Sequence, residues 1–253
     1  MPVDHFPSTH AMWIEEQLTV AEGAADAAGT PRAAAARAEL QQHLMRRYHE
    51  PLRAYVRGSS LRDLGEADDL IAGFFADRVC APGFLAGWRG SGMPLRRWLM
   101  NGISFYGRGV ARDRMRDRLR QFDERAGAAD SSSTAAGATI DALMHGHDAA
   151  RAFEEAWALE VLNAAHAQVH ADLAAAGKLD EYEVFRRHVV DGLDYATIGA
   201  DMGLSRQGCA NCVRRVSERV RVALRDVIRG EGVADKDVER TVREIRELLG
   251  GEG

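Results

Sequence analysis

An all-α fold is expected from three observations on the sequence. Apolar side chains recur every three or four residues over most of the chain, and no stretch alternates apolar and polar as a half-buried strand does. Asp194 and Ser205 also stand just ahead of periodic segments, where a side-chain oxygen can accept from backbone N–H groups that a helix start leaves without partners. With 253 residues the chain can bury a core either as one large domain or as two small helical domains joined by a flexible linker.

Taken in order, residues 1–36 offer one short helix around Met12–Leu18 and then an Ala/Gly-rich segment. Leu40, Leu44 and Tyr48 form a first stripe, continued by Leu52, Tyr55 and Val56 after an interruption near Pro51, which lacks the N–H a helix interior uses. Leu70, Ile71, Phe74, Phe75 and Val79 form a second, with Glu66, Asp68 and Asp69 at its start, where negative charge suits the helix dipole. Leu95, Trp98, Leu99, Ile103, Tyr106 and Val110 form a third, and the three together close a domain at 37–122. Residues 126–139 contain no bulky apolar side chain and little charge, so 123–147 is expected to be a linker. Phe153, Trp157, Val161, Ala165, Val169 and Leu173, then Tyr182, Phe185 and Val189, open a second domain at 148–229. A final amphipathic helix is expected at 234–249 within the segment 230–253, with Val238, Val242, Ile245, Leu248 and Leu249 on one face.

The most informative stretch is 193–216. A short helix capped by Asp194, a turn at Met202–Ser205 with Gly203, and a longer helix capped by Ser205 have the order of a helix-turn-helix. Ala196, Ile198, Gly199 and Leu204 are expected to pack against Cys209, Val213 and Val216. Arg206, Gln207, Ala210, Asn211, Arg214 and Arg215 are then left to face a groove, where Arg suits guanine and Gln or Asn suits adenine.

The net charge of −5 argues against a nucleic-acid partner only if charge is evenly spread, and it is not. Arg96, Arg97, Arg108, Arg112, Arg114, Arg116, Arg118 and Arg120 are opposed between 96 and 120 by Asp113 and Asp117 alone. A second island, Arg206, Arg214, Arg215, Arg219, Arg221 and Arg225, is opposed by Glu218 alone. The first could hold phosphates while Trp88, Trp98, Phe105 and Tyr106 offer a surface for an unpaired base. Trp98 and Tyr106 also lie on the apolar stripe, which favours a core role for both.

The order of these parts resembles the sigma-70 family in its two-domain, extracytoplasmic-function form. That resemblance implies a sigma factor that directs core RNA polymerase to a class of promoters and assists melting of the −10 element. It implies polymerase binding through Glu66, Asp68, Asp69, Leu70 and Phe74, with Leu70 or Phe74 partly exposed as the apolar anchor. It implies −10 contacts from Arg96, Arg97, Trp98, Arg108, Arg112, Arg114 and Arg116, and −35 contacts from Ser205, Arg206, Gln207, Asn211, Arg214, Arg215 and Arg219. Its partners would be core RNA polymerase, promoter DNA and an anti-sigma or other regulatory protein. Two departures stand out. Ala72-Gly73 replaces the Gln-Glu usual after the Asp-Leu pair, and Ala210 and Cys212 replace basic residues of the recognition helix.

Enzymatic chemistry finds no foothold, because no nucleophile, base and orienting group can be assembled. Cys209 and Cys212 make a lone C-x-x-C, at most half a zinc site, and Cys80 leaves an odd thiol count that suits a reducing compartment. His166 with His170, and His145 with His147, lack thiolate or carboxylate company, and Gly90-Ser91-Gly92 lacks the lysine of a phosphate loop. No metal or cofactor is expected. No run of about 18 apolar residues and no leader pattern occurs, so the expected place is the cytosol, with no membrane partner. A stand-alone helix-turn-helix regulator with an N-terminal interaction domain is the alternative, and a polymerase-binding relative that has lost promoter reading is a third.

Overall fold

The computed structural model describes residues 14, 16–20, 31–81, 83–126 and 147–250. The fold is all-α, with no strand among the described residues. These residues divide into two compact units, the first ending at Ala158 and the second beginning at Leu159.

The first unit is built on α1 (Pro31–Gly58), whose buried stripe runs Leu40, Leu44, Tyr48, Leu52, Tyr55 and Val56. The expected interruption at Pro51 does not occur: α1 passes through it, and Pro51 is itself buried. An interior proline costs about 3 kcal/mol. Burial of Leu52 and Val56, each worth about 1.5–3 kcal/mol, outweighs that cost only because both turns face the same core. A 3-10 turn at Ser60–Leu64 follows, capped by Ser59 Oγ, which accepts from the Leu61 amide. Then come α2 (Ala67–Phe74), a π-helical turn (Phe75–Val79), α3 (Phe84–Arg89) and α4 (Leu95–Ala126). Leu95, Leu99 and Ile103 of α4 are buried, whereas every residue from Arg112 to Arg120 is exposed. Gly107 leaves no room for a Cβ against Leu61, which lets α4 pack closely there.

Helix α5 (His147–Ala175) contains the boundary at 158 and 159. Phe153 and Trp157, which periodicity assigns to the second domain, are buried and group with the first unit, as does buried Ala149. Gly58 approaches within contact distance of the Ala149 backbone, its hypothetical Cβ lying 3.1 Å from Ala149 Cα. Of the expected N-terminal helix, Ile14 and Leu18 are buried and 16–20 are helical, while Met12 and Trp13 lie outside the described residues. Most of the expected linker, 127–146, lies outside them as well.

The second unit contains the rest of α5, with Val161, Ala165, Val169 and Leu173 buried. It continues with α6 (Leu179–Val189), α7 (Tyr195–Met202), α8 (Arg206–Gly230) and α9 (Asp235–Gly250). Helix α8 is the spine, packed by α6, α7 and α9. Its buried stripe includes Cys209, Cys212, Val216, Val220, Ala223 and Val227, and α9 adds Val238, Thr241 and Ile245. No described helix is long and apolar enough to cross a membrane.

Candidate nucleic-acid interface

Local chemistry shapes the α7–α8 hairpin. Asp194 Oδ1 accepts from the amides of Ala196 at 2.7 Å and Thr197 at 2.9 Å, and these bonds, the Thr197 one foremost, hold the Asp194 carboxyl below its ordinary range. Gly203 closes α7 in the left-handed region, at φ 67°, where a Cβ would be strained. Ser205 Oγ accepts from the Gly208 amide at 3.1 Å and opens α8. The turn is tight: the Leu204 amide donates to Gly199 O at 2.9 Å, and a Cβ on Gly199 would stand 2.5 Å from Leu204 O.

The core beneath differs from expectation at Leu204, and it takes in Cys212, to which the apolar period assigns no place. Leu204 is 38% exposed, because Gly199 approaches its carbonyl rather than its side chain. Cys212 is buried with Val184, Ile198 and Cys209, so it faces α6 and reads nothing. At 3.6 residues per turn, Gln207, Asn211, Arg214 and Glu218 lie opposite the buried stripe, with Arg206 on one flank and Arg215 and Arg219 on the other. Gln207 Nε2 donates to Asn211 Oδ1 at 3.3 Å, which aligns the two amides along this face.

Ion pairing divides the second basic island. Arg215 is held by Glu181 of α6 through Nε at 3.2 Å and Nη2 at 3.2 Å, and Nη2 also donates to Cys212 Sγ at 3.4 Å. Arg221 pairs with Glu218, Arg225 with Glu239, and Arg229 with Asp226 and Asp235. Arg206, Arg214 and Arg219 are exposed and hold no hydrogen bond or ion pair among the described residues. Sequence reasoning missed Glu181, Glu239 and Asp235 because partners 34, 14 and 6 residues away from their arginines leave no periodic signal.

The first basic island also divides. Arg96, expected at the −10 element, is 6% exposed: its Nε donates to Glu154 at 3.0 Å and its guanidinium lies 4.2 Å from the Trp157 ring centroid. A cation so enclosed supports the core and is not available to DNA in this arrangement. Arg97 is exposed, 3.7 Å from the same carboxylate. Arg108 is half-buried over Phe105, while Arg112, Arg114 and Arg116 are exposed on the outer half of α4, with Arg116 near Asp113. Trp88 is buried, its indole N–H donating to Met93 O at 2.8 Å, so it offers no stacking surface.

Beside these arginines lies a cavity of about 300 Å3 walled by Phe84, Trp98, Phe105 and Tyr106, with Asn101 and Arg78 among its lining. Trp98 contacts Phe84 at 5.7 Å between ring centroids, and its indole N–H is buried without an acceptor among the described residues. Tyr106 donates to Asp77 at 3.0 Å, and burial, followed by this bond, raises its phenol. No protein-family model, curated protein or solved structure matches this chain. The site therefore rests on its own geometry.

On α2, Glu66 and Asp69 are exposed, and Asp68 lies 3.4 Å from His49 Nε2 and 3.7 Å from Arg53 Nε. The expected apolar anchors are corrected: Leu70 is 8% exposed and Phe74 fully buried, edge-on to Phe75 and Phe84. Apolar area already covered by the core cannot be buried again against a partner. Cys80, Cys209 and Cys212 are free thiols, and burial raises Cys80 and Cys212. Among the described residues no three His, Cys, Asp or Glu side chains gather as metal ligands do. His166 instead sits 3.3 Å from the Tyr182 hydroxyl and packs on Phe185, and burial lowers it, while His170 meets the Tyr182 ring edge-on; His145 lies outside the described residues.

Proposed function

We propose that this chain is a sigma-70-like initiation factor that brings core RNA polymerase to a promoter class and helps open the −10 element, catalysing no reaction itself and acting in the cytosol. The observation that carries the reading is the exposed face of α8. Gln207, Asn211 and Arg214 stand on a helix that begins at a capped, tight turn, flanked by Arg206 and Arg219 with no carboxylate paired to them. A recognition helix enters the major groove with its N-terminal residues, and these side chains match base edges and phosphates there. In the first unit, exposed Arg112, Arg114 and Arg116 suit a phosphate backbone, and the aromatic walls of the cavity suit an unpaired base. Core polymerase would meet the exposed carboxylates of Glu66 and Asp69, and an anti-sigma protein would compete for the same surfaces.

Burial of Leu70 and Phe74 favours a second reading, a stand-alone helix-turn-helix regulator, because it removes the apolar anchors from the polymerase-docking helix. Run-off transcription with purified core polymerase separates the two. An initiation factor supports transcripts that are lost when about five base pairs, roughly half a helical turn, are inserted between the −35 and −10 elements. A chain that binds a single site tightly without polymerase, and is indifferent to spacer length, is the regulator.

A further inference from the structure

We propose that Glu239 and Asp235 on α9 determine specificity by holding Arg225 and Arg229 of α8 away from nucleic-acid phosphate, so that only the N-terminal half of the basic helix meets DNA. The inference rests on the DNA-reading function above and assigns a role to α9. Helix α8 carries arginine from position 206 to position 229, a span of about 35 Å at 1.5 Å per residue. If all of those guanidiniums were free, the helix would grip any polyanion along its length, since phosphate contacts carry no sequence information.

The structure prevents this at the C-terminal end. Arg225 Nε donates to Glu239 Oε1 at 2.6 Å and its Nη2 to Oε2 at 3.5 Å, so both carboxylate oxygens face the guanidinium fork as a phosphate would. Arg229 Nε donates to Asp235 at 2.9 Å and its Nη1 to Asp226 at 2.8 Å. Packing sets these positions: Val238, Thr241 and Ile245 are buried against the second unit's core, which leaves Asp235 and Glu239 on the exposed part of α9 beside the arginines. Arg225 and Arg229 remain 32% and 38% exposed, so they are satisfied electrostatically rather than hidden. Arg225 in turn holds the Glu239 carboxyl below its ordinary range.

The test uses the full chain with Asp235→Asn and Glu239→Gln together, which keep side-chain shape and remove charge. Its affinity for random-sequence duplex is measured from 50 to 200 mM NaCl. Arg225 is freed outright, while Arg229 keeps Asp226 on its Nη1, so the slope of log K on log salt steepens by about 0.9, roughly a 3.5-fold larger loss over that range, and the ratio of promoter to random affinity falls. Asp172→Asn with Glu247→Gln removes equal charge from exposed positions on α5 and α9 where no ion pair to Arg225 or Arg229 exists, and is expected to leave the slope near wild type. Elution from immobilised heparin, a polyanion without sequence, reads the same guanidiniums independently of promoter recognition. Later elution of the α9 variant than of the control variant supports the inference. Co-elution with the control, or an equal slope in both variants, overturns it whatever the promoter data show. A heparin shift in a chain whose wild type does not bind promoter DNA with polymerase overturns the proposed function and leaves the α9 carboxylates in their role.

Discussion

Replacing Gly199 by alanine tests the hairpin turn directly. The new Cβ would stand 2.5 Å from Leu204 O, while ordinary contact begins at 3.4 Å, so that carbonyl must retreat by about 0.9 Å. It cannot do so freely, because the Leu204 amide is bonded to Gly199 O at 2.9 Å and Ser205, the cap of α8, is the next residue. Overpacking of this kind costs about 1–3 kcal/mol, and weakening the turn bond adds about 0.5–1.5 kcal/mol. The gain in helix propensity from glycine to alanine returns about 1 kcal/mol, so the net loss is about 0.5–3.5 kcal/mol. Urea unfolding followed by circular dichroism measures it, with Gly109→Ala as the reference. A Cβ on Gly109, in the interior of α4, meets nothing within 4 Å, and that variant should gain about 0.5–1 kcal/mol. If Gly199→Ala is as stable as the parent, or moves in the same direction as Gly109→Ala, the close approach of the two helices at this turn is refuted.

Arg96→Ala leaves the Glu154 carboxylate without its closest partner beside the Trp157 ring and should cost about 3 kcal/mol or more in thermal unfolding, whereas Arg97→Ala should change stability little. Glu183 accepts from Arg186 and Arg187, which hold its carboxyl down to about 2 from an ordinary 4.5. Its contribution is therefore fully present above pH 4.5 and is lost as pH falls toward 2. In an acid titration followed by circular dichroism, Glu183→Gln should flatten that limb. Gln207→Ala should relax base preference at one or two −35 positions by about 1–3 kcal/mol, while Arg219→Ala should weaken all sequences alike and flatten the salt slope by about 0.9. Asp69→Lys should weaken core-polymerase binding in a pull-down without altering helicity, since Asp69 is exposed and outside the core.

Local features were legible in advance. Both caps of the hairpin, the left-handed Gly203, and an α9 expected at 234–249 and found at Asp235–Gly250 depend on bonds or periods spanning two to four residues. The arginines were legible as a group but not in their roles. Arg96 pairs with a carboxylate 58 residues away and Arg215 with one 34 residues away, so two of the expected DNA contacts are engaged inside the protein. The same limit applied to α2, where amphipathic spacing identified Leu70 and Phe74 as one face but not that the core covers that face completely.

The sequence by itself determined the helical class, the caps and turn of the α7–α8 hairpin and the extent of α9, because capping, turn conformation and apolar period act between near neighbours. Only the tertiary structure decided that α1 continues through Pro51, that Cys212 faces α6, and which guanidiniums are left for a partner. Those outcomes turn on burial and ion pairing between segments distant in the chain. A free arginine and a paired one are identical until the fold brings a carboxylate to one of them.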